Sequence, residues 1–208
     1  MSYANQRRVV VTGLGLISPV GCDVETGWNN IKEGKSGIKP ITHMEIEPFS
    51  VHFGGPIYDF PLEDYISKKD AKKMDPFQHY GIAAGIQAIK DSGIEITEEN
   101  AKRIGVAVGS GIGGIGGIEN GYGAYLKGGP RKISPFFVPA NIINMVAGNL
   151  SIMFGLKGPN ISIVSACSTG AHNIGDAMRM IQYGTVDAMV AGGSEFATTP
   201  TGLGGFAA

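Results

Sequence analysis

Two of the 208 residues are cysteines, and one has a setting in which a thiol could react. Cys167 stands in ISIVSACSTGAHNIG, residues 161–175. An alternating apolar run ends in small residues, the thiol follows, and a segment of helical character begins. A thiol is weakly nucleophilic until it ionises. The first turn of a helix offers unpaired N–H groups and the positive end of the helix dipole, and both favour the thiolate. A sharp strand-to-helix turn would also lift the sulfur out of the sheet, the geometry that hydrolases use with serine. Ser165, Ala166, Ser168 and Gly170 leave room for a substrate, and Gly175 is expected to let the helix pack closely on neighbouring backbone. A lone cysteine is more often a buried structural residue. The order strand, Cys, small, small, Gly, helix favours a nucleophile instead. Cys22, after SPVG, has no such setting and reads as structural.

A cysteine nucleophile normally works with a base or an electrophilic partner. His172 is nearest in sequence. Five helical positions turn about 140° and rise about 7.5 Å, so it faces away and is not the immediate base. His43, His52 and His79 lie in segments that give no reason to place them beside the thiol. On the residues alone the site is incomplete. Glycine-rich runs invite a dinucleotide-binding reading, but Ser18 occupies the third glycine place after Gly13 and Gly15, and no helix starts there. Gly109, Gly111 and Gly114 satisfy the spacing after a strand, without the acidic residue expected about 20 positions on.

The elements that must position Cys167 follow from the hydropathy pattern. RRVVVTG (7–13), RIGVAVGS (103–110), NISIVSA (160–166) and VDAMVAGGSE (186–195) read as strands, the first two buried on both faces. Helices are expected over 23–34, 74–93, near 115–126, over 138–155 and over 168–184. In the second of these, Asp75 caps, Pro76 suits the first turn, Gly93 ends it, and Phe77, Tyr80, Ala84 and Ala88 keep helical spacing. Residues 35–62 read as extended loop with short strands. Alternating strands and helices predict an α/β sheet with helices on its faces, and sites beyond the C-terminal ends of its strands.

Composition limits the alternatives. A formal charge of −1 gives no global case for nucleic acid or an anionic membrane surface. Two cysteines are not a disulfide framework and point to a reducing compartment, the cytoplasm. MSYANQRRVVVTG holds no apolar signal-peptide core before its first expected strand. No apolar run approaches the roughly 20 residues a membrane span needs.

The segments RRVVVTGLGLISPVG, KKMDPFQHYGIAAGIQAIKDSG, GSGIGGIGGIENG, GGPRKISPFFVPANIINMVAGNLSIMFGLKGPNISIVSACSTGAHNIG and DAMVAGGSE together resemble the β-ketoacyl–acyl carrier protein synthases, condensing enzymes of the thiolase superfamily, and most of all the synthase II group of bacterial type II fatty acid synthesis. The resemblance implies that residues 1–208 form the N-terminal half of a thiolase-like α/β fold, with a mixed, mostly parallel sheet and helices on both faces, in a protein that works as a homodimer. It implies that a second half supplies two histidines, a lysine and one oxyanion-hole N–H, positions not found within these 208 residues.

By the same resemblance, Cys167 takes an acyl chain from acyl carrier protein as a thioester, and its backbone N–H joins the oxyanion hole. Decarboxylation of malonyl–acyl carrier protein then supplies the carbanion that lengthens the chain, with no metal or organic cofactor. Ile112 and Phe206 are expected to line the acyl pocket of their own subunit, and Phe137 and Val138 that of the partner. Lys69, Lys72, Lys73, Arg131 and Lys132 match positions that dock the acidic carrier protein. The other class of function open to such a half is a non-catalytic docking or dimerisation module.

Overall fold

The computed structural model describes residues 7–208. Its elements are α1 (Val24–Lys32), β1 (Lys39–Pro40), β2 (Phe53–Gly54), α2 (Lys68–Ala71), α3 (Pro76–Ser92), β3 (Ile104–Gly109), α4 (Ile115–Gly128), α5 (Phe137–Asn141), α6 (Met145–Phe154), β4 (Asn160–Ile161), α7 (Thr169–Gln182), β5 (Ala188–Gly193) and α8 (Pro200–Ala207). Strands β1 and β2 form a small antiparallel ribbon. The main sheet is parallel, in the order β4-β3-β5.

Strand β3 is buried at every position, and its two faces differ. Val106 and Val108 pack into the core with Phe77, Ile82 and Ile86 of α3 and Val146 and Leu150 of α6. Gly109 points the opposite way, toward Thr169 and Asn173 of α7. Helices therefore cover both faces of the sheet, as the alternation of elements predicts.

Helix α3 begins and ends as its sequence indicates. Asp75 accepts the Phe77 N–H at 3.2 Å, Pro76 fills the first turn, and Gly93 closes the helix in the left-handed conformation. Its deepest stripe differs from the expected one, however. Phe77, Gly81, Ile82, Gly85, Ile86 and Ile89 are buried, while Tyr80, Ala84 and Ala88 are half-buried. Ala84 and Ala88 lie under the segment that follows residue 12. A Cβ on Gly15 would stand 1.9 Å from the Ala84 carbonyl oxygen, so only glycine lets the two backbones approach.

That segment corrects a second expectation. RRVVVTG is not a buried strand here; Val11 is 76% exposed. Its continuation is held by side chains of α3: Leu14 N–H donates to Asp91 Oδ2 at 2.9 Å and Leu16 N–H to Gln87 Oε1 at 3.0 Å. The apolar run is real, but among the described residues no strand pairs with it. Two further boundaries differ. The helix expected over 138–155 is split, because Ile142 is extended (ψ 141°) between α5 and α6. The strand expected over 160–166 pairs only at Asn160–Ile161. Beyond that point the Asn173 side chain takes both backbone groups of Ile163, accepting its N–H at 3.1 Å and donating to its carbonyl at 3.0 Å. A side chain of α7 thus stands in for a neighbouring strand.

Candidate active site

Cys167 sits where the sequence places it, between the segment that follows β4 and the first turn of α7, and it is exposed. The turn is tight. Ala166 has φ of +53°, a left-handed conformation that a residue with a Cβ seldom adopts. Hydrogen bonds on either side hold it. Ser165 N–H donates to Thr169 Oγ1 at 3.0 Å, Ser168 N–H to the Ser165 carbonyl at 3.1 Å, and Thr169 N–H to the Ala166 carbonyl at 3.0 Å. The ring of His172 closes the same turn through a hydrogen bond between its Nδ1 and Ser165 Oγ. His172 therefore serves the elbow. Gly175 does not do what its type suggests: nothing lies within 4 Å of the place a Cβ would take.

The thiol opens on a cavity of about 460 Å³ at the C-terminal ends of β3 and β5. Ile112 and Phe206 line it, together with Thr169 and Glu195. Phe206 reaches it from α8, whose start is capped by Thr199 accepting the Gly202 N–H at 3.2 Å. Cys22 lies in another setting, away from this cavity. It is half-buried, burial pushes its thiol up, and its carbonyl is tied to Gln87 Nε2 at 2.7 Å.

The other expected site residues gather elsewhere. Lys72, Lys73, Lys132 and Phe137 line a second cavity, of about 500 Å³, between the segment joining α2 to α3, α4 and α5. The Lys73 ammonium is engaged by Asp70 at 2.7 Å and lies 5.6 Å from the centre of the Phe136 ring. Lys69 and Arg131 are exposed beside this cavity's lysines in sequence but do not line it. Val138 is exposed on α5. The basic residues and the thiol thus belong to separate sites within this chain.

Two carboxylates escape a reading by sequence motif. Asp75 shows up as a helix cap, but its Oδ2 also accepts the Gly117 N–H at 2.9 Å and so ties α3 to α4; burial holds its pKa above the ordinary carboxylate value. Glu195 accepts three donors from residues 110–113. Its position two residues beyond β5, at the same edge of the sheet as Cys167, is the signal that could have found it. Among the described residues no cluster of three or more His, Cys, Asp or Glu is arranged to hold a metal ion. None of the helices described is long and apolar enough to cross a membrane.

This geometry agrees with the comparisons. The chain belongs to the β-ketoacyl synthase family: residues 6–208 match the family's N-terminal domain (Beta-ketoacyl synthase, N-terminal domain). It is 62% identical over 98% of its length to 3-oxoacyl-[acyl-carrier-protein] synthase 2 of Vibrio harveyi, covering 49% of that protein. It is 46% identical to the synthase of the same name from Staphylococcus aureus (strain COL), covering 50% of it. The chain therefore spans about half the length of these relatives. Among solved structures, a type II PKS ketosynthase in complex with its acyl-carrier protein superposes with a TM-score of 0.82 at 27% identity, over 97% of this chain and 54% of that one. A β-ketoacyl synthase from Burkholderia phymatum gives 0.79 at 26% identity, over 92% and 48%. The fold is that of ketosynthases.

Proposed function

We propose that this chain carries the nucleophile and part of the acyl pocket of a β-ketoacyl–acyl carrier protein synthase of type II fatty acid synthesis. The observation that supports this most directly is the exposed Cys167, at the start of α7, facing a cavity walled by Ile112 and Phe206. The thiolate attacks the thioester carbonyl of an acyl–acyl carrier protein. A carbon–sulfur bond to Cys167 forms, the bond to the carrier's sulfur breaks, and the carrier leaves as a thiolate that takes up the proton Cys167 gave up on ionising. Malonyl–acyl carrier protein then loses carbon dioxide, and the resulting carbanion attacks the Cys167 thioester. The thiolate is released, and the product is a β-ketoacyl chain two carbons longer. Splitting the transfer through a covalent intermediate is the logic of nucleophilic catalysis. Negative charge develops on the thioester oxygen, where the Cys167 backbone N–H is one donor. The chemistry uses no metal and no organic cofactor.

The protein acts as a homodimer in the cytoplasm, with Phe137 and Val138 of each subunit reaching the partner's pocket. Lys69, Lys72, Lys73, Arg131 and Lys132 receive the acidic carrier protein, and the relative solved with its carrier supports such a partner. The separation of the lysine-lined cavity from the thiol favours one other reading, a docking or dimerisation module without chemistry.

Intact-mass spectrometry after mixing with an acyl–acyl carrier protein separates the two. The synthase reading expects a single acyl adduct, absent in Cys167→Ala. No adduct, with carrier binding retained, makes the chain a docking module.

A further inference from the structure

One carboxylate gathers the start of the glycine-rich stretch after β3, which is held further on by the Asn141 carbonyl, accepting the Gly114 N–H at 3.0 Å, and by Asp75. Glu195 Oε1 accepts the Ser110 hydroxyl at 2.8 Å and the Gly113 N–H at 3.2 Å, and Oε2 accepts the Ile112 N–H at 2.8 Å. Ser110 is buried and its oxygen also accepts the Gly113 N–H at 3.0 Å, so the hydroxyl and the carboxylate share that donor. Gly111 lies between Glu195 and the elbow: a Cβ there would be 2.7 Å from Glu195 Oε2 and 3.3 Å from the Ala166 carbonyl oxygen. Glu195 is itself anchored by its neighbour. Ser194 N–H donates to the Gly109 carbonyl at 3.0 Å, and Ser194 Oγ to the Phe77 carbonyl at 2.9 Å. A rigid strand end therefore grips a glycine-rich loop, and the loop carries Ile112 into the wall of the Cys167 cavity.

We propose that Glu195 is a positioning residue that fixes Ile112 in that wall and thereby limits the length of acyl chain the site accepts. This rests on the reading of Cys167 as the acylated nucleophile. An ionised carboxylate accepts all three donors at once, which makes these bonds stronger than neutral ones. Glutamine cannot replace it. Its single oxygen leaves the amide nitrogen facing an N–H, donor against donor. With the grip lost, Gly111 and Gly113 let the short segment between β3 and Gly114 shift, while the Gly114 N–H stays on the Asn141 carbonyl, and the Ile112 wall recedes with that segment.

The test is the rate of Cys167 acylation by acetyl-pantetheine and by octanoyl-pantetheine, read by intact mass on the protein at its native length. The ratio of the two rates cancels any change in thiol reactivity. In Glu195→Gln the octanoyl-to-acetyl ratio is expected to rise about tenfold, the effect of losing charge-assisted hydrogen bonds. In Ser110→Ala, which removes one donor and keeps the carboxylate, a smaller rise in the same direction is expected. If Glu195→Gln does not fold, Ser110→Ala carries the test. A ratio unchanged within about twofold in the folded variants overturns the role of Glu195. No acylation of the unsubstituted protein by either thioester overturns the nucleophile reading beneath it.

Discussion

The two faces of the main sheet are built differently. On one, α3 and α6 bury Phe77, Ile82, Val146 and Leu150 completely against Val106 and Val108 of β3. On the other, α7 buries only Thr169, Asn173 and Ala177, and turns Ile174 (54% exposed) and Met178 outward. The first face is a finished core, and hydrophobic burial makes it the source of stability. The second is fastened by small residues and by polar bonds such as those of Asn173. It carries the thiol. The packed core and the thiol thus lie on opposite sides of one strand, and the thiol's side still presents apolar surface.

This contrast can be broken most heavily from the core side. Leu150→Ala is expected to cost about 3–5 kcal/mol, because a fully buried leucine leaves a cavity as well as lost transfer energy. Urea denaturation measures it. Gly109→Ala attacks the seam between the faces. The added methyl would stand 2.5 Å from the Ile163 carbonyl oxygen and 2.9 Å from Asn173 Nδ2 and Thr169 Cγ2. A cost of about 1–3 kcal/mol is expected from overpacking, with slower alkylation of Cys167 by iodoacetamide as α7 shifts.

On the outer face, Ile174→Ser with Met178→Ser should change the unfolding free energy by no more than about 0.5 kcal/mol per site. The same pair should reduce self-association of the 208-residue chain in sedimentation velocity, since exposed apolar surface drives aggregation. A large loss of stability there would mean that α7 is more deeply packed than this face indicates.

A subtler effect comes from Asp75. Burial raises its folded pKa above 3.8, the ordinary carboxylate value, so the folded state holds the proton more tightly than the unfolded chain. The stability this contributes is complete below the unfolded pKa and is lost as pH rises through the folded one. The advantage of the native protein over Asp75→Asn should therefore be greatest at low pH and shrink as pH rises past 3.8. Denaturation midpoints across that interval measure it.

Local signals were legible where chemistry and backbone agree. Asp23 caps α1, accepting the Thr26 N–H at 2.7 Å; Asp75, Pro76 and Gly93 bound α3; Cys167 stands at the start of α7. The failures share a cause. RRVVVTG has the composition of a buried strand, but whether a strand is buried depends on neighbours that composition does not name. The strand near 160 ends early because a side chain ten residues on, Asn173, takes the bonds of Ile163. Helical geometry argues against His172 as a base for Cys167, and its tie to Ser165 shows what it does instead.

The caps of α1 and α3, the junction that carries the thiol and the small residues around it are legible in the sequence alone. These follow from propensities, caps and periodicities that act over a few residues. Long-range packing alone brings Ile112, Phe206 and Glu195 to the cavity of Cys167 and Lys72, Lys73 and Lys132 to another. Ile112 and Glu195 are brought together across 83 positions by the parallel pairing of β3 with β5. No local preference encodes a contact of that range; it exists because two strand ends share one edge of a sheet.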